Sequence, residues 1–207
     1  NNYIFSYFFT HIFNFQLNNI QIYYFSYYFY GLYSKSVFVE IVKGNLINMA
    51  LEGKFNAIAH GCNCFCVQGA GIAKDMNRIF NTNDGSIFKE EDSRYKGDIQ
   101  KLGNIEYRAW QYSNGRYDLD HGYYSNQDHL VVINAYTQYY FGRDRIHLNY
   151  NALSLCLKKI NHLFKEHHIA LPMIGCGLAG GDPNKVLSIM KETMTDCQLT
   201  VVECDDS

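Results

Sequence analysis

Two stretches constrain this chain more than any others: "FNAIAHGCNCFCVQGAGIAKDM", residues 55–76, and "HIALPMIGCGLAGGDPNKVLSIM", residues 168–190. Each begins with an apolar run of strand character, passes through a short glycine-rich connection and enters a helical pattern. In the first, Ile72, Met76 and Ile79 recur at spacings of four and three, the period of one helix face. In the second, Asp182 stands where an N-cap belongs and Pro183 where the first helical residue belongs, since proline's missing N–H costs nothing there.

The chain from Val37 onward repeats this alternation. Val37–Val42, Phe55–Ala59, Ile105–Trp110, Leu130–Ala135, Ile169–Ile174 and Leu199–Cys204 read as strands. Gly69–Phe80 and the stripe Leu148, Ala152, Leu153, Cys156, Ile160, Leu163 and Phe164 read as helices. Residues 81–103 are polar and in part irregular, and Ser113-Asn114-Gly115 suits a hairpin turn. A sheet covered by helices on both faces fits this pattern. With 207 residues there is room for one well-buried domain.

The first 34 residues are different. Asn, Tyr, Phe and Ile supply 24 of them, all encodable by A/T-only codons, and no charged side chain precedes Lys35. Residues 1–34 therefore read as a separate N-terminal extension of unknown role, translated from upstream or poorly ordered, with a packed hairpin as the alternative. A membrane anchor is disfavoured by Asn14, Gln16, Asn18, Asn19 and Gln21 in the middle, because hydrocarbon leaves amides unsatisfied. Residues 35–207 form the domain proper.

Lys and Arg total 18 against 20 Asp and Glu, a net charge of −2, which gives no broad field for gathering nucleic acid. Phosphate recognition would have to be local. Seven cysteines, three of them alternating at 62, 64 and 66, fit reduced thiols in a cytoplasmic protein better than a disulfide framework. His60 with those cysteines has gaps of one residue, where structural zinc sites use two to four. A catalytic thiol with His60 as base remains open. Gly69, Ala70, Gly71 and Ile72 open a helix with small residues, which lets an anion approach backbone N–H groups on the positive end of the helix dipole. The loop of residues 173–183, with four glycines, would face it across a crevice at the ends of neighbouring strands, where open α/β sheets bind ligands. Asp182 needs no role beyond its cap.

"VKGNLI" (42–47), "HGCNCFCVQGAGIAK" (60–74), "INAYTQ" (133–138) and "LPMIGCGLAGGDPNKV" (171–186), in that order, resemble the macro domain family of ADP-ribose binders, and within it the branch of ADP-ribose 1″-phosphate phosphatases. The likeness spans Phe38 to Glu203. It implies a three-layer α/β/α domain around a mixed, largely parallel sheet, and ADP-ribose or its 1″-phosphate as a small-molecule ligand of a monomer. No cofactor and no metal are expected.

The same resemblance implies roles. Asn63 would meet the hydroxyls of the distal ribose, and backbone from Gly69 through Ala70 and Gly71 to Ile72 the diphosphate. Gly175, Cys176, Gly177, Leu178, Ala179 and Gly180 would close from the other side. Asn45, with Leu46 after it, stands where many macro domains recognise the adenine amino group with an Asp; a neutral acceptor there makes a bond roughly half as strong. Gln138 would sit beside the ligand. His60 is the expected catalytic residue with Asn63, passing a proton to the leaving ribose oxygen, its bland alternative being an ordinary buried polar side chain. Three activities stay open: the phosphatase, an ADP-ribosyl hydrolase acting on modified protein or nucleic acid, and a binding module without turnover. Against the hydrolase, family members that use lysine chemistry carry a Lys near "INAYTQ", and this chain has Gln138 there and no Lys from 102 through 157.

Overall fold

The computed structural model describes residues 39–82, 96–113, 116–119 and 129–204. The extension of residues 1–34, most of the polar stretch and the Asn114-Gly115 turn lie outside the described residues.

In chain order the elements are β1 (Val39–Lys43), α1 (Leu46–Leu51), β2 (Ala57–Asn63), α2 (Gly71–Phe80), a 3₁₀ turn (Ile99–Lys101), β3 (Ile105–Ser113), β4 (Arg116–Leu119), β5 (His129–Gln138), α3 (Tyr150–Leu163), β6 (His168–Leu171), α4 (Pro183–Thr193) and β7 (Gln198–Glu203). The strands form one sheet in the order β1-β7-β6-β2-β5-β3-β4. The first five run parallel, whereas β3 pairs antiparallel with both β5 and β4. β3 and β4 pair from Trp110 opposite Leu119 to Ser113 opposite Arg116.

Side chains alternate across the strands, and so divide the core in two. Ala57, Ala59, Val131, Ile133, Ile169, Leu171, Leu199 and Val201 pack with α3 and α4, through residues such as Leu153, Leu157, Ile160, Val186 and Met190. Ile58, Leu130, Val132, Ala170 and Val202 turn the other way, onto Leu46, Ile47 and Ala50 of α1 and Met76 and Phe80 of α2. The result is a three-layer α/β/α sandwich. No helix among the described residues is long and apolar enough to cross a membrane.

Several boundaries move for local reasons. α1 was absent from the sequence expectation; it is six residues long, started by Asn45, whose side chain accepts from the Asn48 N–H at 3.0 Å. α3 starts at Tyr150, since Asn149 caps it through the Ala152 N–H. β6 stops at Leu171, before Pro172, which has no N–H for a ladder. β2 runs four residues past Ala59, to Asn63, because His60 and Cys62 are buried like the apolar residues they follow.

Candidate functional site

β2 and β6 are neighbours in the sheet, so the glycine-bearing segments after them, loop 1 (64–70) and loop 2 (172–182), leave the same edge side by side. A β-carbon on Gly71 would lie 4.0 Å from the Leu178 Cδ1 methyl, so the loops face each other across a narrow gap. α2 begins there without a capping side chain and without an acidic residue in its first turn. Its first N–H groups have no side chain of their own to bond, which is the arrangement that attracts anions. Gly69, Ala70 and Gly71 are exposed and Ile72 is half-buried, packing on the α1–α2 core.

The loop glycines serve different ends. Gly69 and Gly177 face open space, with nothing within 4 Å of an added β-carbon. Gly175, at φ +77, would put one 2.6 Å from a Leu148 methyl, and Gly181 would crowd the same side chain. A bond from Gly181 N to Gly175 O at 2.8 Å closes loop 2 at its base. Within it, Ala179 is buried and its carbonyl accepts from the N–H groups of His147 and Leu148, Gly180 turns the chain at φ +72, and Leu178 projects into solvent. Burial pushes the Cys176 thiol up to about 11, Asp182 adding to the shift, which leaves it protonated and poor as a nucleophile. Asp182 caps α4 through the Asn184 N–H at 2.8 Å.

Loop 1 is shaped from within by Asn63. Its Oδ1 accepts from the N–H groups of Phe65 and Val67, both at 3.1 Å, and its Nδ2 donates to the Val67 carbonyl at 2.7 Å. The amide expected on the ribose hydroxyls thus braces its own loop, with one of its two N–H donors on Val67, and is 5 % exposed. Leu46 puts its side chain in the α1–α2 core. Asn45 remains exposed, with one bond from its oxygen to the α1 cap. Gln138 donates to the Tyr140 carbonyl.

His60 lies inside β2 and is wholly buried; it is not part of the crevice surface. It pairs in register with Asn134 of β5, and its Nε2 is 2.8 Å from Asn134 Oδ1. Since Asn134 Nδ2 donates to the Thr82 carbonyl, Oδ1 must accept and Nε2 must carry the proton. Thr82 in turn donates to Gln68 Oε1, whose amide nitrogen reaches the Cys62 sulfur at 3.6 Å, and Cys62 returns to His60 at 3.8 Å. Asn134, Gln68 and Thr82 close this ring, and none of them stands out from sequence spacing. Burial lowers the His60 pKa to about 4, the Asn134 bond opposing it in part. The imidazole is neutral at neutral pH, which conflicts with the expected proton donor. Burial raises the thiol pKa of Cys62, and that of Cys64 to about 11, against a thiol–imidazole couple. Among the described residues, no group of three or more His, Cys, Asp and Glu is arranged to hold a metal.

A cavity of about 470 Å³ opens beside loop 1, lined by Phe65, Cys66, Val67, Gln68, Gly69, Lys96, Tyr140 and Phe141. Tyr140 and Phe141 stack at 4.7 Å, and Phe65 sets its edge against both. Lys96 is exposed at the rim.

No family model matches the chain. A 17.5 kDa protein of bacteriophage T4, from the tk-vs intergenic region, is 28 % identical over 171 residues, covering 80 % of this chain and 96 % of its own. The macrodomain of Thermus aquaticus DarG superposes with a TM-score of 0.53 at 22 % identity, over 82 % of this chain and 99 % of its own. The chain has the macrodomain fold. The Oceanobacillus iheyensis macrodomain, solved with ADP, agrees at a TM-score of 0.53 and 13 % identity, over 84 % of this chain and 86 % of its own. The sheet and its two helical layers match the three-layer α/β/α fold expected from the sequence motifs.

Proposed function

We propose that the chain binds ADP-ribose with its diphosphate between loops 1 and 2, and that ADP-ribose 1″-phosphate is the form it hydrolyses. The observation that carries the reading is the uncapped start of α2 beside Gly69, faced by the open Gly177 and by Leu178. The uncapped N–H groups of a helix start suit an anionic group such as a diphosphate. The ADP held by the Oceanobacillus macrodomain supports a nucleoside diphosphate as the common part of the ligand.

The phosphatase half of the reading draws on the cavity beside loop 1. Lys96 supplies a cation there, and its Coulomb attraction favours a substituent that carries charge. His60 then acts by holding β2 and loop 1 in place. Protonation of the leaving oxygen falls to the substrate, since a phosphate monoester keeps a proton up to a pKa of about 6, with water as the attacking group.

Phosphate release from ADP-ribose 1″-phosphate by the purified chain tests this directly. Release by the parent protein, cut about tenfold or more in Lys96→Met with ADP-ribose affinity retained, is the expected result for a contact to charge present only on the 1″-phosphate. Binding without release makes the chain a reader of ADP-ribose. Release of ADP-ribose from modified protein or DNA instead would assign the hydrolase.

A further inference from the structure

Cys66 stands at φ +57, a left-handed conformation that is strained for a residue with a β-carbon. Its own N–H bonds the Asn63 carbonyl at 3.0 Å, and the Asn63 amide holds the residues on either side. Such strain persists only where the surroundings enforce it. What it achieves is the position of the sulfur: Lys101 Nζ lies 3.1 Å from Cys66 Sγ. Lys101 is itself 3 % exposed. Its segment is fastened on both sides, by Gly97 N to Cys64 O and by Gly103 N to Tyr136 O, each 2.9 Å. The Tyr136 hydroxyl is 3.9 Å from the same sulfur and donates to Glu106. Cys66 is also half-exposed and is one of the residues that line the cavity.

We propose that Cys66 and Lys101 form a hydroperoxide-responsive pair that closes into a sulfur–nitrogen cross-link. The sulfur attacks one peroxide oxygen: an S–O bond forms, the O–O bond breaks, sulfur is oxidised to the sulfenic acid and the peroxide is reduced to water. The Lys101 ammonium gives one proton to water, its nitrogen lone pair then attacks sulfur, the S–O bond breaks, and the hydroxyl leaves as water with a second proton from nitrogen. One thiol, one amine and one hydrogen peroxide become one sulfenamide and two waters. A nitrogen already in contact competes well with external thiols, because the second step is unimolecular. Burial raises the thiol pKa at Cys62, Cys64, Cys156, Cys176 and Cys197, and these thiols are correspondingly slower toward peroxide. The product pins loop 1 to the segment before β3. None of this depends on which ligand occupies the crevice.

The test is peptide mapping of the full chain after treatment with equimolar hydrogen peroxide. The expected result is a peptide pair joined through Cys66 and Lys101, short by two hydrogens, uncut by trypsin at Lys101 and released by dithiothreitol. It should vanish in Cys66→Ser and in Lys101→Arg, which keeps the charge but lacks the amine. Recovery of Cys66 as an untouched thiol while the exposed Cys204 is oxidised would overturn the proposal, as would Cys66 found in a disulfide or as sulfinic acid with Lys101 still cleavable. Should Lys101→Arg not fold, the map of the parent chain decides the matter alone.

Discussion

His60 Nε2 lies 2.8 Å from Asn134 Oδ1, between two neighbouring strands and out of reach of solvent. The imidazole has a pKa of about 4 in the native chain and about 6.5 when unfolded. Between those values the unfolded chain binds a proton that the native one refuses, so stability falls as pH drops through the window, by roughly 3 kcal/mol in all. Burial also lowers His167 and His168, which slope the same way, so the His60 share is read from a variant. Urea midpoints of the parent and of His60→Gln at pH 5 and pH 7 should show a shallower pH dependence in the variant. Turnover in His60→Gln is expected within about tenfold of the parent; a loss of about 10² to 10⁴ would restore the proton-donor role.

Gly177 is exposed and a β-carbon there meets nothing within 4 Å, whereas Gly71 sits at φ +57. Valine at 71 would strain the backbone and confuse folding with binding. Gly177→Val is the clean probe: its unfolding free energy should stay within about 0.5 kcal/mol of the parent, while the thermal shift with millimolar ADP-ribose disappears. A full shift in this variant would remove loop 2 from the cradle.

The single oxygen of the Asn45 side chain already accepts the Asn48 N–H. A carboxylate has a second oxygen to offer, so Asn45→Asp keeps the cap and adds a charge-assisted acceptor for an adenine amino group. Calorimetry should show ADP-ribose binding about fivefold tighter, which corresponds to roughly 1 kcal/mol. Unchanged or weaker affinity would place adenine elsewhere.

Asn63→Ala removes three bonds inside loop 1 at once. Stability should fall by about 1–3 kcal/mol, and the amides of Phe65 and Val67 should lose their protection in hydrogen exchange without any ligand present. If their exchange is unaltered while affinity collapses, the side chain meets the ligand directly.

The layers of this domain were legible in the sequence because their causes are local. A continuous apolar run marks β5, a period near 3.6 marks α3, and Asp182-Pro183 announces α4 whatever surrounds it. Glycine clusters likewise announced both loops. The interior of the site was hidden because its partners are remote: Asn134 lies 74 residues from His60, and Lys101 lies 35 from Cys66. No spacing rule links such pairs; the β2–β5 register and the turn before β3 bring them together. The inward bonds of Asn63 were hidden for a related reason. An amide after a strand can reach outward to a ligand or inward to its own loop, and only the backbone path of residues 64–67 decides. α1 escaped because six residues hold too few turns for a period to be seen.

Leu148 is gripped from two points of loop 2, by Gly175, four residues past the end of β6, and by Gly181 where the chain prepares to enter α4, with the Gly181 N–H closing onto the Gly175 carbonyl. Two clamps on one side chain fix how many residues fit between them. Loop 2 should therefore tolerate exchange of Leu178 and refuse insertion or deletion, so that among natural or engineered variants of this domain its length stays constant while its exposed tip diversifies.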